Sequence, residues 1–230
     1  MTEIDIWAVD PGDITIDNLP DGRSRRAAQT RKAIALAAAP LFLTYGFDGT
    51  SMTAIAGQAR VGVQTVYYHF PTKAAALVGA LDQAVDGADR RTRHRPPAHL
   101  AWAVRTRAEP DLKRRLFLHV RGCADRLAAG AELIEMLRAQ ARSDAALDQL
   151  RAQEEDERRE LHRALIDSLG RALSPLTTPE QATDVLAMVL GPDSWISLVV
   201  RARWSRLAWA RWAHRTLVAE LLSDAVPRTE

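Results

Sequence analysis

The sequence predicts an all-α fold, and three features carry that reading. Ala, Leu and Arg dominate the 230 residues while β-branched residues are sparse, a composition that favours helix over strand. Apolar residues recur at three- and four-residue spacing along most of the chain. Gly, Pro and Ser/Thr stand where helices of ordinary length would stop and start. Apolar residues make up 47% of the chain, so it can bury a core as one or two domains.

The elements follow in order. Residues 1–22 hold six acids, no base, and Pro11, Gly12, Pro20 and Gly22, and read as an acidic flexible arm. Asp13–Asp17 alternates like a short strand but has no partner. Ser24 can cap a helix running to about Tyr45, with Ile34, Ala38, Leu41, Phe42 and Tyr45 on one face. Pro40 interrupts that helix, and Gly46 suits its C-cap. Thr50, Ser51, Met52 and Thr53 offer N-caps for a short helix over 54–59. Arg60-Val61-Gly62 breaks it, and 63–70 forms another. Thr72 caps a longer helix to about Arg91.

His94-Arg95-Pro96-Pro97 marks a domain boundary, giving domains at about 23–91 and 98–230. Helices are expected near 98–108, 111–128, 130–142 and 145–173. Glu154 with Arg158 and Glu155 with Arg159 pair at i,i+4 on what reads as a solvated face. Thr177-Thr178-Pro179-Glu180 starts a helix that Gly191-Pro192 kinks or splits. A last helix covers about Ser205–Ser223, for about nine helices in all.

Charge is uneven within a net +2. Residues 1–22 carry −6, residues 23–73 carry +6, and the remainder +2. A basic block in a near-neutral chain points to a polyanion surface, or to a solvated arginine-rich face. The single cysteine, Cys123, rules out an intrachain disulfide and a cysteine-based zinc site. No apolar run is read as a membrane span, and the acidic start does not fit a signal peptide. A cytoplasmic protein with no membrane partner is expected.

Within the basic block, two short helices joined by a tight turn form a candidate helix-turn-helix. At about 100° per residue, Val66 and Phe70 of the second helix face inward. Gln64 and Tyr68 face outward, flanked by Thr65 and Tyr67, with His69 at the C-terminal end. Tyrosine hydroxyls and histidine can donate to phosphate oxygens, and Lys73 adds a full charge. Gln64 can read adenine bidentately, Thr65 a base or phosphate, and Val63 a thymine methyl or the preceding helix. Adjacent Tyr67 and Tyr68 cannot both be structural aromatics beneath the helix.

Residues 26–86 resemble the DNA-binding domain of tetracycline-repressor (TetR) family regulators. The resemblance is carried by Phe42, Gly46, Thr50, Ser51, Ile55, Ala56, Ala59, Val61, Thr65, Val66, Tyr67, His69, Phe70 and Lys73. It departs at Arg60, where the family has a turn glycine, and at Gly62, where it has a capping serine. The resemblance implies DNA contacts from Thr53, Gln64, Thr65, Tyr67, Tyr68, His69 and Lys73, with a weaker backbone contact from Arg31. It further implies a homodimer through the last two helices, about 179–223, and a C-terminal effector pocket. Trp195, Trp204, Trp209 and Trp212 crowd that dimer region, as suits an interface.

Candidate pocket linings are Trp102, Phe117, His119, Met136, Met188 and Trp195, with Cys123, Leu133 and Leu137 also available. His119 and Cys123 stand at i,i+4, but no third metal ligand is visible and no cofactor is expected. The expected function is a repressor binding a palindromic operator and released by an unknown small molecule. Effector-independent regulation and activation remain open alternatives. An enzyme is disfavoured by the lack of a phosphate loop, nucleophile elbow or paired metal motif.

Overall fold

A computed structural model describes residues 22–86, 97–142 and 144–222. The acidic arm, the boundary residues 94–96 and the end of the last helix at Ser223 lie outside the described residues. Ten α-helices are present among them, nine of at least seven residues, and only an isolated bridge pairs Leu173 with Leu222. The all-α expectation therefore holds.

The N-terminal unit comprises α1 (Gly22–Gly49), α2 (Met52–Ala59), α3 (Val63–His69) and α4 (Lys73–Asp86). Helix α1 begins at Gly22, two residues before the expected cap Ser24, and continues through Pro40. The helix proper stops at Gly46, whose φ of 72° is open to glycine at little steric cost. Buried Thr50 clips this reversal by donating to the Leu41 and Gly46 carbonyls at 3.1 and 2.8 Å. Of the four cap candidates, Ser51 accepts from the Ala54 amide at 3.0 Å and starts α2. Thr72 accepts from Ala75 and starts α4.

Ile34, Ala38 and Phe42 of α1, Ile55 of α2, Val66 of α3, Phe70 and Leu77 of α4 form a core with essentially no exposure. Phe70 packs against α4 at Gly79, where a Cβ would meet its ring at 2.3 Å.

The C-terminal unit starts with a 3-10 turn at Pro97–His99 and α5 (Ala101–Ala108). The expected helices near 111–128 and 130–142 are one continuous helix, α6 (Leu112–Ala141), because Gly130 lies within it. Gly130 permits close packing: a Cβ there would lie 2.4 Å from Val85 Cγ2 on α4. Gly122 likewise admits the Trp102 ring from α5. The C-terminal third of α6 belongs to the N-terminal core, since Leu133, Ile134 and Leu137 pack into it.

Helix α7 (Ala145–Leu169) is followed by α8 (Pro179–Val189), which opens with a full capping box between Thr178 and Gln181. Gly191-Pro192 separates α8 from α9 (Pro192–Trp195), which runs on into a π-helical turn over 196–201. Pro179–Arg201 is, by length and composition, apolar enough to cross a membrane, contrary to the sequence expectation. Here it is broken at Gly191 and contributes Leu186, Val189, Trp195 and Ile196 to the C-terminal core. Helix α10 (Arg206–Leu221) closes the bundle, with Trp209 and Leu217 fully buried.

Candidate functional site

Two features bear on function: the outward face of α3 and a cleft in the C-terminal unit. Helix α3 is pinned by Val66, fully buried, and by Phe70, whose backbone N–H donates to the Val66 carbonyl and caps the helix C-terminus. Pinning that side presents the other. Tyr68 is 80% exposed and Tyr67 46%, and Gln64 and Thr53 are also exposed. Val63, Thr65, His69 and Lys73 are half-buried around them. Neither tyrosine is a buried core aromatic.

Arg31 of α1 braces the end of α3. Its guanidinium stacks 4.1 Å from the Phe70 ring centroid and donates to the His69 carbonyl. Partial burial, then the Arg31 charge, hold His69 below its ordinary value, so its imidazole is neutral at pH 7. Its ring meets Tyr68 edge-on at 5.1 Å. Lys73 Nζ lies 4.5 Å from the Phe47 ring centroid and 3.5 Å from the Asp48 carbonyl. It is thereby held at the start of α4, beside α3.

The turn between α2 and α3 settles a question posed by the sequence. Arg60 adopts the left-handed conformation that a glycine would take, with φ 55° and ψ 42°. The geometry of the turn is kept, and the side chain bears a cost of about 1 kcal/mol. Gly62 takes the N-cap position of α3 with no side-chain bond, leaving that helix end without a side-chain cap.

In the C-terminal unit, a narrow cleft of about 30 Å³, partly open to solvent, lies between α4, α6, α7 and the end of α8. Its apolar side is Val85, Leu127, Ile134, Leu161 and Leu190; its polar side is Cys123, Arg126, Glu154, Arg158 and His162. None of the six pocket candidates lines it. Trp102 packs on Gly122, Phe117 stacks edge-on with His214, and Met136 rests on the N-terminal core. Met188 is 71% exposed, and Trp195 is buried against Trp209 at 5.0 Å. His119 lies one residue behind the cleft, bonded to His162: His119 Nε2 and His162 Nδ1 are 3.0 Å apart.

His162 is the residue that sequence reasoning missed. With His119 and Cys123 it forms a fully buried trio whose potential ligand atoms lie within 4.8 Å of one another, so a third donor does exist. It stands 43 residues from His119 on another helix, and no sequence spacing reports that contact. The surroundings of the trio oppose a cation. Burial, followed by the Arg107 charge, holds His119 down to about 3. Burial, then His119 and the charges of Arg158, Arg126 and Arg159, hold His162 well below its ordinary value. Burial pushes the Cys123 thiol up to about 12, only partly offset by Arg126 and Arg158.

The charged run on α7 is also placed differently from the sequence expectation. Glu154 and Arg158 pair as expected, at 2.7 Å, but they are largely buried at the cleft. Glu155 pairs instead with Arg151 and Arg138, and Arg159 reaches Asp184 on α8.

The fold and the exposed α3 face define a helical protein with an N-terminal helix-turn-helix unit. Residues 34–80 match the model of the bacterial regulatory proteins of the tetR family. Residues 34–80 are thus a helix-turn-helix segment of the kind that family model describes. It is 39% identical over 64 residues to the HTH-type transcriptional regulator RutR of Escherichia coli K12, a match covering 28% of this chain and 30% of that protein. The match thus spans less than a third of the curated relative's length.

The whole fold is shared more widely. A TetR-family transcriptional regulator from Mesorhizobium loti superposes with a TM-score of 0.65 at 19% identity, covering 86% of this chain and 99% of that one. NalD, the secondary repressor of the MexAB-OprM multidrug efflux pump in Pseudomonas aeruginosa, superposes at 0.64 with 22% identity, covering 86% and 99%. Reduced NemR of E. coli gives 0.64 at 16% identity, covering 86% and 100%. At these identities the likeness is one of fold.

Proposed function

We propose that the chain is a cytoplasmic, ligand-responsive transcriptional repressor that binds a palindromic DNA operator as a homodimer. The carrying observation is the outward face of α3: Gln64, Tyr67 and Tyr68 are exposed hydrogen-bonding groups on a helix whose other side is locked in a core. Thr53, Val63, Thr65, His69 and Lys73 complete the proposed contact set. The basic balance of residues 23–73 suits the phosphate backbone, and neutral polar groups suit positioning and base readout.

One recognition helix reads only a few base pairs, so a dimer presenting two, about 34 Å apart, is required for a selective site. The region 179–223 is the proposed dimer surface, and exposed Met188 and Trp204 on it support this reading.

Helix α4 supports ligand responsiveness. Its first residue, Lys73, stands at the DNA face, its Gly79 carries Phe70, and its Val85 reaches the C-terminal cleft. An occupant that moves Val85 therefore acts on the element that supports the recognition helix. A 100-fold change in operator affinity requires about 2.7 kcal/mol of such coupling.

The test is selection of genomic DNA fragments by the purified protein, then affinity on the enriched duplex and stoichiometry by sedimentation. A palindrome bound by a dimer is expected. Weak, sequence-independent, salt-sensitive binding alone would remove the proposal.

A further inference from the structure

Among the described residues, one cluster of metal-ligating side chains takes no part in the proposed operator contacts: His119, Cys123 and His162. His119 and Cys123 stand one turn apart on α6, and α7 brings His162 to them. Each offers one ligand atom, and the three atoms lie within 4.8 Å of one another. His119 Nε2 and His162 Nδ1 already face each other at 3.0 Å. An ion about 2.0–2.3 Å from two nitrogens and a sulfur needs them about 3.5–3.7 Å apart, so side-chain shifts of about 1 Å assemble the site.

The protein's own hydrogen bonds leave this cluster incomplete. His162 has no solvent exposure, and its Nε2 is buried without a hydrogen-bond partner among the described residues. A buried polar atom in that state costs about 1–3 kcal/mol and marks a site that something else completes. The space beside it is small. The cleft lined by Cys123 and His162 holds about 30 Å³, close to one water molecule's share of liquid volume. An ion fits there and an organic effector does not. Trp102 packs against His119, ring centroids 5.9 Å apart, and the cleft carboxylate, Glu154, is bonded twice to Arg158 at 2.9 and 2.7 Å. The protein therefore offers three ligands and no ready fourth.

The surroundings that oppose a free cation also select which ion can enter. The charges of Arg126 and Arg158 are felt at Cys123 and His162, and that of Arg107 at His119. Both imidazoles are neutral there, which leaves each a lone pair for a metal. Cys123 is a thiol; on ligation it releases its proton to solvent and binds as thiolate. One monovalent ion with one thiolate brings no net charge into the site. A divalent ion would leave a positive charge buried beside those arginines. Thiolate and imidazole donors both suit Cu(I), whereas Zn²⁺ in a closed site takes four ligands.

We infer that His119, Cys123 and His162 form a three-coordinate site for a soft monovalent ion, Cu(I). The site goes beyond the operator reading. It rests on the ligand-responsive reading only for its effect on DNA, which follows because Val85 of α4 lines the same cleft.

The test uses the full chain, stripped of metal and handled without oxygen, with Cu(I) titrated against the chelator bathocuproine disulfonate. One Cu(I) per chain should be retained, and X-ray absorption should show two nitrogens and one sulfur with no fourth ligand. Cys123 is the only cysteine, so the thiolate sulfur has one source. Cys123→Ser should weaken binding by more than the about 100-fold that losing a group behind a ligand can cost. His119→Gln and His162→Gln should each weaken it too. Melting of the metal-free variants checks their fold, and the wild-type spectrum stands even where a variant folds poorly. Zn²⁺ should leave the melting temperature unchanged. Operator affinity, measured separately on the metal-free and loaded chain, should change about fivefold or more.

Loss of all copper to the chelator, or equal retention by Cys123→Ser, would overturn the site. A four-coordinate spectrum, or stabilisation by Zn²⁺ that Cys123→Ser abolishes, would overturn the monovalent assignment. A three-coordinate copper site with unchanged operator affinity would uphold the site and sever it from the ligand-responsive reading.

Discussion

Gly130→Ala isolates the contact through which the two units of the chain touch most closely. The new Cβ would lie 2.4 Å from Val85 Cγ2 and 3.1 Å from Leu81 Cδ1. An ordinary carbon–carbon contact is about 3.5–4.0 Å, so the tighter of the two overlaps by about 1.1–1.6 Å. Valine in a helix has essentially one χ1 rotamer and cannot swing aside cheaply. Overpacking of this kind costs about 1–3 kcal/mol, and the better helix propensity of alanine returns about 1 kcal/mol. A net loss of up to about 2 kcal/mol follows, or a fall in melting temperature of up to about 8 °C at this chain length.

The functional consequence is larger than the loss of stability suggests. Relieving the clash moves α4 away from α6, and α4 supports Phe70 through Gly79. Operator affinity, measured by fluorescence anisotropy, should change at least about fivefold, the lower bound of ordinary coupling. Val85→Ala removes the clashing methyls, so the double variant should recover both quantities, and the double-mutant cycle should show strong coupling. A gain of stability in Gly130→Ala would refute the packing estimate. Lost stability with unchanged operator affinity would refute α4 as the link between the units.

Three further outcomes are expected. Tyr68→Ala should leave stability within about 0.5 kcal/mol, since the side chain is 80% exposed, yet weaken operator binding about 30-fold if each recognition helix of the dimer loses one hydrogen bond of about 1 kcal/mol; melting and anisotropy on the same sample check both. Arg60→Gly should relieve the left-handed strain and stabilise the chain by up to about 1 kcal/mol, the gain being trimmed by the freer unfolded chain; calorimetry reading a lower melting temperature would mean that the Arg60 side chain contributes a compensating contact. His119 and His162 are both held below their unfolded value of about 6.5, so the unfolded chain binds more protons as pH falls. The stability they contribute is present above pH 6.5 and is lost as pH falls toward 5, by about 1.4 kcal/mol per pH unit per histidine; urea titrations at pH 7, 6 and 5 should show that slope, and His119→Gln with His162→Phe should flatten it.

The N-terminal unit was legible in the sequence because its determinants are local. Val66 and Phe70 lie four residues apart, and that spacing alone puts them on one side of a helix and Tyr68 on the other. Ser51 and Thr72 accept from amides three residues on, so Thr72 could be read as a cap and Ser51 as one of four candidates. Separate helices were expected near 111–128 and 130–142, whereas α6 runs unbroken through Gly130. The reason it sits inside α6 is Val85, a residue 45 positions away.

The cleft was not legible, for the same physical reason. Which of several apolar residues on an amphipathic helix meets a cavity depends on how helices cross, and crossing angles are set by packing between distant segments. Met188 and Trp195 sit seven residues apart on the stripe read from the sequence, yet one is exposed and the other buried, because Gly191-Pro192 breaks the helix between them. Glu154 and Arg158 looked like a solvated pair, and only the approach of α6 turned them into a cleft wall.

Spacing, capping and charge by themselves determined an all-helical chain with a helix-turn-helix whose outward face is polar. Those are properties of neighbours along the chain, decided by 3.6-residue geometry and a few hydrogen bonds. Tertiary structure alone decided the left-handed Arg60, the brace of Arg31 on Phe70, the joining of α4 to α6 at Gly130 and the meeting of His119 with His162. Each depends on atoms brought together from segments far apart in the chain, or on which conformation wins once they pack.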